Sequence, residues 1–293
     1  MSLKSLNIGE GPVLIAGPTA SGKSSLAMEI ADQYGGQIVN ADAIQVFDGW
    51  RVLTARPSEA DEQAFRHRLY GHVPVDGDYS VGHWLRDIDP ILKESARPII
   101  VGGTGLYFSA LTQGLAQIPP TPTGIRETAD ELRQSGGIGK MLLELSEETL
   151  SRIDQANPMR VQRAWEVYKA TGKQISEWQD DTPPPLLDIT SATAIVMNSP
   201  KDWLNERIER RFNMMIEDGA LEEAKENLSN WNPSNLSSKA IGAPELISFL
   251  RGEINLETAK ERATIATRQY AKRQRTWFRS RMSNWTQFDP TIS

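Results

Sequence analysis

A glycine-rich octapeptide near the start of the chain, GPTASGKS at residues 17–24, follows the apolar run VLIA and precedes a helix-like segment. Strand, glycine loop and helix in this order are typical of a P-loop. The glycines let successive backbone N–H groups turn toward a phosphate, and the helix start adds partial positive charge. A plain glycine turn is disfavoured, because every fixed position of the motif is filled. The predicted phosphate site consists of Gly17, Pro18, Thr19, Ala20, Ser21, Gly22, Lys23 and Ser24, with the Ser24 hydroxyl as a ligand for Mg²⁺.

The composition limits the chemistry that the chain can perform. With 293 residues, 39% hydrophobic and 24% charged, it is typical of a globular protein with a substantial core. No apolar run approaches the ~18 residues that span a bilayer, and the first residues lack a signal-peptide segment, so we expect a cytoplasmic protein without membrane contact. The absence of cysteine excludes disulfides and thiolate catalysis, and three scattered histidines disfavour a histidine-built metal site. Carboxylates, hydroxyls and cations must therefore do the chemistry.

Positive charge is concentrated near the end of the chain, although the formal net charge is −6. Residues 262–281 contain no Asp or Glu and include Arg262, Arg268, Lys272, Arg273, Arg275, Arg279 and Arg281. Aromatic residues interleave with these cations, so the segment could follow a nucleic-acid backbone. A solvated helix face explains the same pattern, and the charges alone leave both interpretations open.

The first third of the chain alternates short apolar runs with helical stretches, which predicts βαβ units and a parallel sheet. Strands are expected at 13–16, 37–39 and 99–101, each followed by a loop of small or polar residues. Ligands of open parallel sheets bind beyond the carboxyl ends of the strands. The P-loop and the loops at 40–45 and 102–105 are therefore expected to converge on one site.

Proline clusters at 119–122 and 183–185 enclose a stretch with helical periodicity, including a helix at 159–171. We predict an inserted helical domain at 113–190, with the α/β core formed by 1–112 and 191–293. The core is expected to resume with a strand at 192–197, followed by an amphipathic helix at 202–217 and a final strand at 285–288. The predicted fold class is α/β, a P-loop NTPase-like parallel sheet flanked by helices.

Five separated segments carry recognisable motifs. They are GPTASGKS at 17–24; NAD at 40–42 with QVF at 45–47 and TARP at 54–57; VGGTGLY at 101–107; NPMRVQRA at 157–164 with TGK at 171–173; and TRQYAKRQ at 267–274 with TWF at 276–278. In order and spacing they resemble the IPP transferase family, the tRNA dimethylallyltransferases, from about residue 12 to residue 290. Three other positions depart from the usual family pattern: Ala43 stands where Ser is usual, Asp48 replaces a basic residue, and Ala243-Pro244 replaces Tyr and a basic residue.

The resemblance implies transfer of a dimethylallyl group from dimethylallyl diphosphate to N6 of the adenosine 3′-adjacent to the anticodon in tRNA, with Mg²⁺, by a monomeric enzyme. Asp42 is the candidate general base, and Thr104 is a candidate catalytic residue that contacts the diphosphate. By position alone, Asp42 could instead support Mg²⁺ or cap a helix, and Thr104 could cap the helix that follows it. Arg207 and Arg211, four residues apart on one helix, are expected to reach the same phosphates, although such a pair is more often a surface feature.

The resemblance also assigns residues to the anticodon stem-loop of tRNA, where one base would be extruded into the enzyme. Tryptophans at 165, 178 and 203 are possible stacking surfaces, but helical tryptophans more often lie in the core. The RNA-facing positions are Asp42, Ala43, Ile44, Gln45, Thr104, Arg126, Met159, Arg160, Val161, Gln162, Arg163, Lys239, Gly242, Arg268, Lys272, Arg273, Gln274, Arg275 and Arg279.

Three other functions fit part of the pattern. A small-molecule or nucleotide kinase also needs a P-loop, Mg²⁺ and a catalytic Asp, but the apolar run at 99–101 ends in glycines where a metal-binding Asp would be expected. A second alternative is prenylation of free adenine nucleotides. The helical insert and the basic tail favour a large RNA substrate over a free nucleotide. An RNA- or nucleotide-binding regulator is disfavoured by Asp42 together with the complete P-loop.

Overall fold

A computed structural model describes Leu3 and residues 6–292 of the chain. Its centre is a six-stranded sheet of order β3-β2-β4-β1-β5-β6, in which all paired strands are parallel. The strands are β1 Val13–Ala16, β2 Gln37–Asn40, β3 His67–Arg68, β4 Pro98–Gly102, β5 Thr193–Met197 and β6 Thr286–Phe288. This arrangement confirms the predicted α/β class, and β1 and β4 lie side by side at the centre.

Helices connect the strands and form a separate helical region. They are α1 Lys23–Tyr34, α2 Glu59–Ala64, α3 Val81–Leu92, α4 Gly105–Gln113, α5 Thr123–Gln134, α6 Ile138–Leu143, α7 Glu147–Arg152, α8 Pro158–Thr171, α9 Ile175–Asp180, α10 Lys201–Met215, α11 Leu221–Leu228, α12 Ala243–Leu250 and α13 Leu256–Arg281. Short 3₁₀ turns lie at Ile189–Ser191 and Ser237–Lys239, and a π turn at Ile216–Ala220 follows α10. Within the described residues, none of these helices has the length and apolar character needed to cross a membrane.

The sheet is apolar on both faces because helices cover both. Successive residues of β1 belong alternately to two buried clusters, as the two-residue period of a strand requires. Val13 and Ile15 pack with α1, whereas Leu14 and Ala16 pack with side chains from α3, α4 and the end of α13. Since every residue of β1, β2 and β4 is buried, these strands provide a rigid base for the loops at their carboxyl ends.

The chain divides into two compact units, one formed by residues 1–112 and 186–293 and the other by Gln113–Pro185. The second unit is helical and packs around Met141, Val161 and Trp165. It ends before residue 190, the predicted limit of the insert, because Leu187 belongs to the first unit. The N–H of Leu187 donates to the carbonyl of Leu111 at 3.1 Å, and its side chain is buried beside the sheet.

The elements predicted from the sequence are present with shifts of one or two residues at most of their ends. The helix predicted at 202–217 ends earlier, because Gly219 adopts a φ of 103° within the π turn. The strand β3 was not predicted, since two residues carry no periodicity.

Helix α11 anchors the loop that follows β2. The carboxylate of Glu223 accepts hydrogen bonds from three successive backbone N–H groups: Arg51, Val52 at 2.9 Å and Leu53 at 2.9 Å. The side chain of Asn227 donates to the carbonyl of Gly49 at 2.8 Å. These contacts fix the loop on which Leu53, Thr54 and Arg56 lie.

We expect Glu223→Ala to lower the free energy of unfolding by about 1–3 kcal/mol, because it removes the acceptor of three partly buried backbone donors. Urea denaturation measures the change. Glu222→Ala is the matched control: Glu222 is exposed and pairs only with Lys225 among the ion pairs of the described residues, so a change within about 0.5 kcal/mol is expected. Equal losses in the two variants would contradict the anchoring role.

Candidate active site

The three loops predicted to converge do so at the carboxyl edge of β1, β2 and β4. The N–H of Gly17 donates to the carbonyl of Gly102 at 3.2 Å, and the N–H of Thr104 donates to Ala41 at 3.2 Å. The Oγ1 of Thr104 accepts from the N–H of Ala43 at 2.9 Å. Hydrogen bonds thus hold the loops to one another as well as to the sheet, and the predicted convergence of the three loops is confirmed.

The P-loop has the backbone that a phosphate site needs. Gly22, at the start of α1, has a φ of 89°, and Ala20 adopts a φ of 62°, which non-glycine residues rarely take. The hydroxyl of Ser21 is buried and has no hydrogen-bond partner among the described residues. An unpartnered buried hydroxyl in a left-handed glycine loop is a suitable contact for an anion.

Cations from two helices meet at this loop. The Nζ of Lys23 lies 3.4 Å from the carbonyl of Pro18. The Nε of Arg207 donates to the carbonyl of Ala20 at 2.9 Å, and its guanidinium stacks on Trp203 with a centroid distance of 4.5 Å. The Nη1 of Arg211 donates to Thr19 Oγ1 at 3.4 Å. Arg207 and Arg211, the arginine pair predicted on α10, therefore contact the phosphate loop rather than lying on an open surface.

Burial lowers the pKa of two of these cations, Lys23 and Arg211. Removal from water lowers the pKa of Lys23 to about 8, against the opposing attraction of the Asp42 carboxylate; the nearby Arg211 lowers it further. Burial also lowers the pKa of Arg211, although Asp42 again acts in the opposite direction. An anion bound here would interact with both cations in surroundings poor in water, where the attraction is strong.

Asp42 lies directly beyond β2, with its backbone and one oxygen fixed. Its N–H donates to Asn40 Oδ1 at 2.8 Å, and its Oδ1 accepts from the N–H of Ile44 at 3.0 Å. Asn40 is itself held through two further hydrogen bonds, donated to the carbonyls of Asp42 and Leu69 at 3.0 Å each. The carboxylate is thereby oriented within the cavity that Thr104 also lines.

Two adjoining cavities contain the candidate residues. One, of about 390 Å³, is lined by Asp42, Thr104 and apolar side chains such as Ile208 and Phe212. The other, of about 670 Å³, is lined by Ser24 and a cluster of arginines and lysine. Ala20, Lys23, Gln45 and Arg211 line both. The phosphate loop and the Arg211 side chain therefore lie where an apolar, carboxylate-bearing cavity adjoins a cationic one.

Three tyrosines lie within the electrostatic influence of Asp42: Tyr107 is buried, and Tyr70 and Tyr270 are partly buried. Burial, followed by the negative charge of Asp42, raises the pKa of Tyr70, Tyr107 and Tyr270 well above the usual range. Their hydroxyls therefore stay protonated at neutral pH. Tyr270 lines the smaller cavity and Tyr70 the larger.

Several residues predicted to face RNA do line the smaller cavity, and several do not. Lys239, the exposed residue of the otherwise buried turn Ser237–Lys239, and Arg273 on α13 lie at this cavity, as do Ala43, Ile44 and Gln45. Arg275 and Arg279 lie on α13 beside a separate small cavity of about 180 Å³ that Asn198 also lines. Lys272 is exposed, and Arg268 pairs with Glu209 at 2.7 Å.

Three of the predicted RNA contacts are buried, so their side chains do not face an RNA surface. Val161 lies in the core of the inserted unit. Gln162 is 4% exposed and hydrogen-bonds Asp130, Arg133 and Glu166 within that unit. Gln274 is buried between the P-loop and Gly103. These residues share a motif with exposed neighbours, but helical periodicity turns them inward.

The other members of the insert motif are more accessible. Met159 and Arg160 are exposed on α8, Arg126 is exposed on α5, and Arg163 donates to Thr121 Oγ1 at 2.7 Å.

Gly242 is buried at the start of α12 with a φ of 100°. It shapes the backbone there and presents no side chain to RNA. Ala243, one of the departures from the family pattern, is also buried, whereas Pro244 is exposed.

Trp203, named from the sequence as a possible stacking surface, stacks on Arg207. Three residues that line the smaller cavity were not predicted as site residues: Tyr270, Thr267 and Phe212. Tyr270 and Thr267 belong to the TRQYAKRQ motif at 267–274. The motif does not show which face of the helix turns toward the cavity. Trp165, in contrast, is a core residue of the insert.

A metal site built from protein alone is absent from the described residues: no three His, Cys, Asp or Glu side chains are grouped to hold an ion. Ser24 lies at the first turn of α1 and lines the larger cavity. Mg²⁺ commonly takes one or two protein ligands and completes its shell with phosphate oxygens and water. A single hydroxyl beside a phosphate loop fits that requirement.

Comparisons with known proteins agree with this geometry. The family model described as IPP transferase matches residues 45–281, and that of isopentenyl transferase matches residues 12–72. A tRNA dimethylallyltransferase of Ruegeria sp. (strain TM1040) is 58% identical over 279 residues, 95% of this chain and 96% of the relative. That of Dinoroseobacter shibae is 59% identical over 282 residues, 95% of each.

Solved structures give the same result. The tRNA isopentenylpyrophosphate transferase of Bacillus halodurans matches with a TM-score of 0.68 and 29% identity, covering 96% of this chain and 90% of its own. A eukaryotic dimethylallyltransferase acting on tRNA shares the fold, with a TM-score of 0.81 at 23% identity over 97% of this chain and 75% of its own. Both family models and the near full-length relatives lead to one conclusion: the chain belongs to the IPP transferase family.

Proposed function

We propose that the chain transfers a dimethylallyl group from dimethylallyl diphosphate to N6 of the adenosine 3′-adjacent to the anticodon in tRNA, releasing diphosphate. The observation that carries the proposal is the juxtaposition of Asp42 with a complete phosphate loop at adjoining cavities. The tRNA dimethylallyltransferase relatives support the substrates.

The smaller cavity suits the organic parts of the two substrates. Apolar side chains of Ile44, Leu53, Ile208 and Phe212 offer a surface for a prenyl chain and for the flat face of a base. Lys239 and Arg273 at the same cavity provide positive charge toward an RNA backbone. An adenine extruded from an anticodon loop would thereby meet the allyl group next to Asp42.

In the reaction, the N6 nitrogen forms a bond to C1 of the allyl group while the bond from C1 to the diphosphate oxygen breaks. The N6 proton passes to the Asp42 carboxylate, whose Oδ1 is fixed by the Ile44 N–H. Thr104, fixed by the Ala43 N–H, can contact the base or the diphosphate from the same loop. These two residues are the proposed catalytic pair.

Positive charge must stabilise the departing diphosphate, because it gains charge as the bond breaks. Lys23, Arg207 and Arg211 lie at the P-loop, and the cationic groups of Lys23 and Arg211 are shielded from water. The buried Ser21 hydroxyl offers a further donor. We assign the diphosphate to this loop.

We also propose that Ser24 holds Mg²⁺ together with diphosphate oxygens. The metal would neutralise negative charge on the leaving group. The P-loop residues bind and orient the diphosphate whether or not the ion is bound.

Incubation with dimethylallyl diphosphate, Mg²⁺ and either tRNA, AMP or ATP, followed by mass measurement, tests the function directly. A gain of one dimethylallyl group on tRNA alone is expected. Prenylated AMP or ATP would indicate an enzyme of free nucleotides, and phosphoryl transfer from ATP would indicate a kinase. Either result would contradict the proposal.

Asp42→Asn is expected to lower the single-turnover rate by ~10²–10⁴-fold, because the amide cannot accept the N6 proton. The substitution keeps an oxygen for the Ile44 N–H, so tRNA affinity should change little. Rapid-quench assays at saturating substrates measure the rate. Asp48→Asn, an exposed carboxylate in the same loop region, serves as the control. A near-normal rate for Asp42→Asn would show that the base is another group.

The value of kcat/KM for dimethylallyl diphosphate should fall about tenfold per unit as pH rises above about 8, the pKa of Lys23, because only its protonated form attracts diphosphate. Below that pH Lys23 is protonated, so its titration should cause no change in kcat/KM. Lys23→Arg should flatten the decline, since guanidinium stays protonated. A decline that persists unchanged in Lys23→Arg would assign the titration elsewhere.

Lys272→Gln with Arg279→Gln should reduce the slope of log tRNA affinity against log salt by roughly 1.4–1.8, if each cation neutralises one phosphate. Affinity for dimethylallyl diphosphate should be unchanged. Lys93→Gln with Lys225→Gln is the control, because these lysines already pair with Asp89 and Glu222. An unaltered slope in the first, correctly folded variant would favour a solvated helix face.

A further inference from the structure

The carboxamide of Gln274 joins two of the loops that form the cavity. Gln274 lies on α13 and is 5% exposed. Its Oε1 accepts a hydrogen bond from the backbone N–H of Thr19 at 2.9 Å, and its Nε2 donates to the carbonyl of Gly103 at 2.9 Å. Thr19 belongs to the P-loop, and Gly103 directly precedes Thr104. One side chain therefore connects the phosphate loop with the loop that presents Thr104.

The chemistry of the two partners selects glutamine. One partner is a donor and the other an acceptor, and a neutral carboxamide offers one group for each. A glutamate could accept from Thr19 but would place a second oxygen against the Gly103 carbonyl. An apolar side chain of the same length would leave both backbone groups unpaired in a buried position.

The loop at Gly103 packs closely against Gln274 and Asp42. A Cβ atom at this position would lie 2.2 Å from Gln274 Nε2 and 3.3 Å from Asp42 Oδ2. Trp277, on the same helix, packs against Gly105, where a Cβ would lie 2.2 Å from the indole ring. Helix α13 thus contacts the loop on both sides of Thr104, and the polar part of that contact consists of the Gln274 amide and the Tyr270 hydroxyl, which hydrogen-bonds Gln274 and Thr104.

We propose that Gln274 is a positioning residue that sets the separation between the P-loop and the Asp42–Thr104 pair. The inference rests on the proposed prenyl transfer, in which the carbon bound to diphosphate must lie at reacting distance from N6. Diphosphate itself is still held by the P-loop and its cations when the amide is lost. Gln274 therefore acts on alignment of the reactants, and less on affinity for either one.

Misalignment of about 1 Å can cost on the order of 10²-fold in rate. In Gln274→Met we expect the single-turnover rate at saturating substrates to fall by about that factor, while KM for dimethylallyl diphosphate and the Kd of inorganic diphosphate stay within about threefold. Gln269→Met is the matched control, because Gln269 is exposed on the same helix. It should leave all three quantities unchanged.

Amide hydrogen exchange at Thr19 supplies a readout that does not depend on activity. The Thr19 N–H loses its acceptor in Gln274→Met, so its exchange should accelerate by at least tenfold, an order-of-magnitude expectation for an opened hydrogen bond. Exchange in the buried strand β1 should not change. If the wild type fails to prenylate tRNA, the proposed function is wrong, and the exchange and diphosphate measurements still decide whether Gln274 holds the loop.

Any of three results would overturn the inference. In a folded Gln274→Met variant, these are a single-turnover rate within threefold of wild type, or unchanged amide exchange at Thr19. The third is a parallel loss of rate, diphosphate affinity and thermal stability, as expected from general unfolding. If Gln274→Met does not fold, Gln274→Glu replaces it. That variant keeps the acceptor for Thr19, so Thr19 protection should persist while the rate falls; a rate within threefold of wild type would again overturn the inference.

Discussion

The hydrogen bonds among three loops at the carboxyl edge of the central strands hold the site together. The P-loop is hydrogen-bonded to Gly102, the last residue of β4, and the loop containing Thr104 is hydrogen-bonded to Ala41, directly beyond β2. Because the strands beneath are buried throughout, the loops rest on a base that does not move. A carboxylate and a set of cations can then be held close together without collapsing into an ion pair.

That separation has an energetic consequence. Lys23 and Arg211 would each be stabilised by direct contact with Asp42, yet no such ion pair is formed within the described residues, and burial lowers the pKa of both cations. The cations therefore keep positive charge available for an anionic ligand, and the carboxylate keeps an oxygen available for a proton. An unliganded site of this kind is less stable than a paired one, which is common where function requires strain.

The sequence was sufficient for the elements that depend on local pattern. The P-loop, the strands at the centre of the sheet and the helical insert follow from glycine spacing and hydrophobic periodicity, and the order of loops along parallel strands predicts that they meet. The sequence predicts less well which face of a helix is buried. The family resemblance assigned Gln274 to RNA together with the neighbouring cations Lys272, Arg273 and Arg275, whereas the structure buries the Gln274 side chain. Val161 and Gln162 show the same limit in the insert, and β3 was too short to leave a periodic signal.

Helix α13 explains why a basic segment can be read in two ways. Its exposed positions carry Lys272 and Arg279, which suit either solvent or a phosphate backbone. Its inner positions contact the P-loop and the loop of Thr104 through Gln274 and Trp277, and Tyr270 lines the smaller cavity. A rigid helix transmits displacement along its length, so an RNA bound to the outer face would lie on the same element that fixes the spacing of the reacting groups. Helix α13 therefore carries exposed basic residues on its outer face and the buried amide of Gln274 on its inner face. This explains why polar residues of the helix face inward as well as outward.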